Sequence, residues 1–251
     1  MIKRETIETV PHEYALTPMQ SEFAVSTESL SGRFINPPPG KLYLLYGARE
    51  IFHLSLFVAS KILGRHRLIA VVDGANRFDA YYLARVVREQ YGNPEPFLNN
   101  IYVSRGFTCY QMEAAITQRL PQFLHRMKSK TAMIFGLLDT FYDEQAKFHE
   151  VQHSLQRILR KLHEMKTDGV SILIASLEMK VLPEERNQLL HTLKSSADQL
   201  YRLDVSDERS QLIKENHHGT NRSDLHKPHS GRNKLVGEVP TRTAQGGSRN
   251  L

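Results

Sequence analysis

The chain is poor in cysteine and in long hydrophobic runs. A single cysteine, Cys109, cannot form an intramolecular disulfide, so a disulfide-stapled fold is excluded. No stretch approaches the roughly 20 consecutive apolar residues that a membrane-spanning helix needs. Residues 1–10 are polar and lack the apolar middle of a secretory signal. We therefore expect no membrane association and a reducing location: the cytoplasm, or the nucleus if the source is eukaryotic.

The sequence also lacks the residue groupings that build common metal and nucleophilic sites. Four of its twelve histidines cluster late in the chain without any cysteine: His217, His218, His226 and His229. Building a site from a flexible polar segment costs ordering entropy, so solvated histidines are the favoured interpretation. Cys109 has no spacing partner that would mark it as a nucleophile. We expect no metal and no cofactor.

Acidic excess is confined to the start of the chain. The net charge is +6, of which residues 1–32 carry −3, residues 33–205 carry +6 and residues 206–251 carry +3. A basic domain is compatible with nucleic acid as a partner, because binding by Lys and Arg releases cations from phosphates. Charge of this size does not by itself establish such a partner.

Hydrophobic runs alternate with helical periodicity through the middle of the chain. The pattern predicts six strands, at 42–46, 68–72, 101–103, 132–138, 170–176 and 199–203. It predicts five helical segments, at 48–63, 79–91, 110–127, 144–167 and 184–196. This alternation indicates a three-layer α/β fold with a mainly parallel central sheet. We divide the chain into a polar N-terminal segment (1–32), one domain (33–205) and a disordered basic tail (206–251).

The first strand is followed by a phosphate-binding loop position without phosphate-binding residues. The run 42–46 ends in Gly47, where the pattern G-x-x-x-x-G-K-[ST] would begin. Counting onward, Phe52, His53 and Leu54 replace the second glycine, the lysine and the hydroxyl residue. Phe52 obstructs a backbone cradle, and no ammonium or magnesium-binding hydroxyl remains. His53, when protonated, is the remaining candidate for an anion at the helix start.

Several strings, in order, resemble the RecA-like recombinase core, particularly its RadA branch. They are Asp73 with Phe78 and the helix after them, 100–107 with Gln111, 133–139, 170–176 and 190–203. The resemblance covers about residues 40–204. It implies a RecA-like core, a Walker B position at Asp139, and an activating carboxylate where this chain has Ala75.

Missing phosphate cradle, cation and base together indicate a pseudo-ATPase rather than an enzyme. The degenerate nucleotide-binding positions are Gly47, His53 and Asp139. In the alternative hypothesis the protein is an unconventional NTPase in which Asp139 holds magnesium. ATP and magnesium are cofactors only under that alternative.

Candidate DNA-binding residues lie near the expected carboxyl ends of the strands, where open α/β sheets bind ligands. They are Arg77, Arg85, Arg88 and Arg105, although Arg85 and Arg88 also fit an ordinary solvated helix face. The family's DNA loops would fall at 140–145, which is acidic, and at 177–186, which is short, so they are not expected to grip single-stranded DNA.

The resemblance therefore implies a non-catalytic accessory protein in DNA repair or recombination, which binds DNA, a partner ATPase of RecA-like type, or both. A second alternative is a signalling or scaffold module of the clock-ATPase type that does not bind DNA.

Overall fold

A mostly parallel sheet forms the centre of the structure, a computed structural model that describes residues 40–205 and 210–215. Within these residues seven strands form one sheet: β1 (Leu42–Gly47), β2 (Ile69–Gly74), β3 (Ile101–Gly106), β4 (Thr131–Phe135), β5 (Ser171–Leu177), β6 (Gln199–Val205) and β7 (Ser210–Glu215). The strand order is β3-β2-β4-β5-β1-β6-β7, and only β7 runs antiparallel to its neighbour. The predicted α/β class with a mainly parallel sheet is confirmed.

Helices cover both faces of the sheet. They are α1 (Ile51–Leu63), α2 (Ala80–Tyr91), α3 (Glu95–Leu98), α4 (Cys109–Ala114), α5 (Leu120–Met127), α6 (Phe148–Thr167) and α7 (Gln188–Ser196). A π-helical turn, Ala115–Arg119, joins α4 to α5, and short 3₁₀ turns occupy Leu138–Thr140 and Glu184–Asn187. No helix in the described ranges is long and apolar enough to cross a membrane.

Alternate residues of each strand feed two separate hydrophobic cores. Leu44 of β1 packs with α4, α5, α6 and α7 on one face, whereas Leu45 packs with α1 and α2 on the other. Strands covered on both faces have continuous apolar sequences, and these apolar runs, rather than an alternating pattern, indicated the strands. The three layers follow from this arrangement.

One of two glycine turns departs from the sequence prediction. β4 ends at Phe135 rather than at residue 138, because Gly136 turns the chain with φ +58. A Cβ at Gly136 would lie 2.5 Å from the Gly74 carbonyl oxygen, so only glycine fits there without a shift. Gly169 has φ +84 after α6, which agrees with the expected left-handed helix cap.

Strand β7 lies inside the segment that the sequence assigned to a disordered tail, so that assignment is corrected for residues 210–215. These residues pair with β6 along its outer edge, and Leu212 packs against the core. The hydroxyl of Tyr46 donates to the Glu215 carboxylate at 2.5 Å. Pairing satisfies an edge that β6 would otherwise expose. The predicted segment 1–32, and the tail residues 206–209 and 216–251, lie outside the described residues.

Candidate functional site

The connection between β1 and α1 is too short to form a phosphate-binding loop. Only residues 48–50 separate Gly47 from Ile51, so Phe52, His53 and Leu54 lie in the first turns of α1. The Ala48 N–H donates to the Leu203 carbonyl oxygen at 3.1 Å, so β6 takes up that amide. A Cβ at Gly47 would lie 2.1 Å from the same oxygen. Gly47 therefore allows β6 to approach, and the backbone forms no cradle.

His53 faces α2 rather than the ends of the strands. Its ring stacks on Tyr82, with centroids 4.1 Å apart and planes inclined by 10°. Partial burial against this ring lowers the pKa of the imidazole below its usual value. The neutral form therefore dominates at pH 7, and it provides no cation for an anion.

Three side chains contact one another beyond the carboxyl ends of β2 and β4. The ring of Phe52, only 5% exposed, lies 5.5 Å from the guanidinium carbon of Arg77. The Nε–H of Arg77 donates to Oδ2 of Asp139, whose side chain is 6% exposed. A cation–π contact and a salt bridge thus converge on one guanidinium. We call Phe52, Arg77 and Asp139 the central stack.

The turn after β2 positions Arg77 for this stack. Asp73 is fully buried, and its Oδ1 accepts the N–H groups of Arg77 and Phe78 at 2.7 and 3.0 Å. Its Oδ2 accepts the Nε–H of Arg105 at 3.2 Å. Ala75 stands in the same turn with a left-handed φ of +56. Ala75, the position at which the resemblance predicted an activating carboxylate, is therefore part of a tightly bonded turn.

The four arginines predicted to bind DNA do not form one strip. Arg77 and Arg105 lie at the carboxyl ends of the strands, but each is paired with a buried carboxylate. Arg85 and Arg88 are exposed on α2, where Arg85 lies over the Tyr82 ring at 5.2 Å. Exposed side chains fit both a solvated helix face and a DNA contact, so the DNA-binding role of these two residues stays a prediction.

A second polar cluster, which sequence patterns did not reveal, closes the crevice between β1 and β5. The Glu178 carboxylate accepts from Lys194 Nζ at 3.2 Å and from Arg202 Nε at 2.7 Å. Lys194 Nζ also lies 3.8 Å from the Tyr46 ring centroid. Burial raises the pKa of Glu178, but the bonds from Arg202 and Lys194 outweigh it, and the net pKa is lowered.

The position of this cluster explains its relevance to ligand binding. After β1 the chain enters α1 on one face of the sheet, and after β5 it enters α7 on the other face. Open α/β sheets bind ligands at such switch points. The Glu178 N–H donates to the Gly47 carbonyl at 2.9 Å, so Glu178 lies beside the residue at which a phosphate-binding loop would begin. Its carboxylate is balanced by Lys194 and Arg202, so the cluster carries no net negative charge. Its partners are far apart in sequence, so no local motif signals them.

The two stretches compared with DNA loops are joined by a buried arginine. Arg186 is 2% exposed and donates to the Phe141 carbonyl at 2.7 Å and to the Ala146 carbonyl at 2.5 Å. Its guanidinium also lies 6.0 Å from the Phe148 ring centroid. Arg186 therefore connects the chain after β4 to the chain after β5 and is not available to a phosphate.

An apolar depression beside β3 was also missed by sequence reasoning. Its volume is about 560 Å³, and β2, β3, the π-helical turn and α5 line it. The rings of Tyr102 and Phe123 lie 5.0 Å apart at its side. Tyr102 and Val103 are 42% and 40% exposed. A short apolar run such as residues 101–103 does not show that its strand lies at a sheet edge.

In the part of the chain that the structure describes, no group of three or more His, Cys, Asp or Glu side chains is placed to hold a metal ion. No protein-family model matches the chain, and a comparison with curated proteins finds no match.

Proposed function

We propose that this protein is a non-catalytic RecA-like accessory protein in DNA repair or recombination. It acts in the cytoplasm, or in the nucleus of a eukaryotic cell, by binding a partner ATPase, DNA or both. The observation that carries the non-catalytic part is the central stack. Asp139, the one acidic remnant of a nucleotide site, is paired with Arg77, which Phe52 covers.

Hydrolysis of a nucleotide requires more than a surviving carboxylate. A magnesium ion at Asp139 would have to displace Arg77. This arginine is already bound to the carboxylate in the folded protein, so the pair needs no further ordering of side chains. Lys194 and Arg202, the cations beside Gly47, are already bound to Glu178. The site has neither a backbone cradle for the phosphates nor a base to activate water, so nothing offsets the loss of these contacts.

Calorimetric titration of the full chain with Mg·ATP, together with a phosphate-release assay, tests this part. We expect no binding heat and no turnover above buffer. Turnover that is abolished by Asp139→Asn would establish the NTPase alternative instead. Arg88→Gln, on the exposed side of α2, is a control that should leave any real turnover unchanged.

Partner binding is supported by the edge strand β3. Among the described strands β3 pairs only with β2, so the backbone groups of its other edge are open to an added strand. The apolar depression adjoins this edge and is large enough for an aromatic or aliphatic side chain. Arg119 and Arg126 are among its described lining residues, and none of those residues carries a carboxylate.

These features fit one kind of occupant: an extended segment of the partner ATPase, with an apolar anchor and acidic neighbours. The backbone would extend the sheet from β3, the anchor would enter the depression, and Arg119 and Arg126 would attract the acidic side chains.

Binding of the full chain to the RecA-type ATPase of the same organism, measured by sedimentation, tests the partner surface. We expect Tyr102→Glu to weaken association by about tenfold or more, because it places a charge at the anchor site. Tyr81→Glu is the matched control, since Tyr81 is 91% exposed on α2. No association by the unmodified chain would refute this part, and association without any DNA binding would favour the scaffold alternative.

A further inference from the structure

The amino-terminal ends of the parallel strands, opposite the strand ends that carry the central stack, border a row of exposed basic side chains. Arg65, His66 and Arg67 form the loop before β2, and Lys128 and Lys130 flank the turn before β4. All five side chains are exposed. Two of these residues adopt left-handed backbone where glycine would be cheaper: His66 has φ +55 and Lys128 has φ +53. Basic side chains are thus kept at positions where they are conformationally costly.

Hydrogen bonds hold these loops side by side. The strands β2 and β4 are neighbours, and the Ser129 hydroxyl donates to the Leu68 carbonyl at 3.0 Å. Lys130 Nζ donates to the Asp168 carbonyl at 2.7 Å, which extends the contact to the turn before β5. Lys41 precedes β1, the next strand along. At about 4.8 Å per strand, the row from β2 to β1 is about 14 Å long.

Three cations of this row are not paired with a carboxylate of the described residues. Among the described residues, Arg67, Lys128 and Lys130 form no salt bridge. Asp198 lies at the same edge but is paired with Lys166 at 2.9 Å. Asp168, whose backbone carbonyl accepts from Lys130, also has an exposed side chain here, and one carboxylate leaves an excess of positive charge among Arg67, Lys128 and Lys130. At the carboxyl-terminal ends of the strands, by contrast, Arg77, Arg105 and Arg202 are each paired with a carboxylate.

A depression of about 340 Å³ opens within this row. Its basic side chains are His125, Lys128 and Lys130, its one acidic residue is Asp168, and its apolar side chains include Leu124, Met165 and Val170. Cations beside an apolar floor suit a polymer that presents phosphates together with flat rings or sugars.

We propose that this amino-terminal edge binds the phosphate backbone of nucleic acid. The proposal rests on the DNA-binding part of the proposed function and moves that activity away from the edge that the sequence indicated. The surface, which we call the amino-edge patch, consists of Lys41, residues 65–67 and residues 128–130. Its length corresponds to about four nucleotides of one strand in a duplex, at 3.4 Å each.

Fluorescence anisotropy with the full chain tests the patch. The probes are a labelled single strand of about 30 nucleotides and the corresponding duplex, titrated between about 50 and 200 mM NaCl. The patch variant is Arg67→Gln/Lys128→Gln/Lys130→Gln. We expect duplex affinity to fall about 10- to 100-fold at about 100 mM NaCl, and the slope of log K against log salt to become shallower by about 2 to 3.

The matched control, Arg49→Gln/Lys147→Gln/Arg160→Gln, removes the same net charge from exposed positions outside the patch. It keeps any contribution of residues 206–251, as does the patch variant. We expect its affinity to stay within about threefold of the unmodified chain. Arg67→Gln alone, in an exposed loop, guards against a folding defect and should flatten the slope by about 1.

Each other outcome counts against a defined part of the account. Equal losses in the patch and control variants would show an effect of net charge only and would overturn the patch. DNA binding that the patch variant retains in full would overturn the patch while leaving the proposed function intact. No DNA binding at about 50 mM NaCl would overturn both the patch and the DNA part of that function. Binding to anionic phospholipid vesicles that the patch variant loses, with DNA binding unchanged, would assign the surface to a membrane instead.

Discussion

Arg77 and Asp139 form a salt bridge in front of the sheet although they are 62 residues apart in the chain. Asp139 is almost fully buried, with its Oδ1 left without a partner among the described residues, whereas 28% of the Arg77 side chain is exposed. The pair therefore gives the buried carboxylate its counter-charge. It also places a guanidinium on the carboxylate oxygen that a metal ion would need.

Replacing Arg77 alone should destabilise the protein. Arg77→Met leaves the Asp139 carboxylate buried without a counter-ion, and we expect the free energy of unfolding to fall by about 2–3 kcal/mol. Urea denaturation of the full chain measures this change. Arg85→Met is the control and should cost less than about 0.5 kcal/mol, because Arg85 is exposed on α2.

A double-mutant cycle separates the ion pair from packing. Arg77→Met/Asp139→Leu removes both charges, so we expect it to be more stable than the sum of the two single changes predicts, by at least about 1 kcal/mol. Additive losses would contradict a coupled pair.

The turn after β2 should be stabilised by glycine at position 75. Ala75 has φ +56, a left-handed conformation that costs a non-glycine residue about 1 kcal/mol or more. After the entropy of glycine in the unfolded chain is subtracted, Ala75→Gly should raise the free energy of unfolding by about 0.5 kcal/mol. Ala84→Gly, inside α2, should instead lower it by about 1 kcal/mol. A loss of stability in Ala75→Gly would show that the turn is not strained at this position.

His53 should titrate below its usual pKa. Burial against Tyr82 lowers the pKa of the folded imidazole, so the unfolded chain takes up its proton first as pH falls. The resulting stability is present above the unfolded value of about 6.5 and is lost as pH falls through the folded value.

NMR titration of the His53 ring measures this pKa directly. His53→Gln should lose less stability than the unmodified chain between about pH 7 and pH 5. We also expect Mg·ATP to leave the His53 titration unchanged. A pKa above the usual value, or one raised by Mg·ATP, would support the anion-binding interpretation of His53.

Arg186 should be required for the order of two loops. Arg186→Met leaves the carbonyls of Phe141 and Ala146 without their donors, and we expect a loss of about 2–3 kcal/mol. Limited proteolysis should cut faster after both β4 and β5. Arg160→Met, at an exposed position of α6, is the control and should change neither measurement. Unchanged proteolysis in Arg186→Met would show that the loops are held by other contacts.

The order of elements was predictable because its causes are local. Continuous apolar runs located the six parallel strands, and the three- and four-residue spacing of Val151, Leu155 and Ile158 located α6. Gly169 signalled the end of that helix for the same reason. The final strand was missed because four of the six residues 210–215 are polar, and their pairing with β6 is not visible in the sequence.

The candidate site was only partly predictable. Position and residue type identified a loop without a lysine and a turn without a carboxylate at Ala75. They did not show that Arg77 pairs with Asp139, or that Arg105 pairs with Asp73, since the partners come from different strands. An arginine in a sequence is a charge, and whether that charge is available depends on what lies beside it in the fold.

The sequence by itself determined the α/β class and the absence of the phosphate-binding residues, because periodicity and residue type are written along the chain. Tertiary structure alone decided which cations are neutralised and which remain exposed. The reason is physical: a parallel sheet brings the ends of distant segments within a few ångströms at each edge, and charges at such distances pair or stay exposed according to neighbours that the linear order does not reveal.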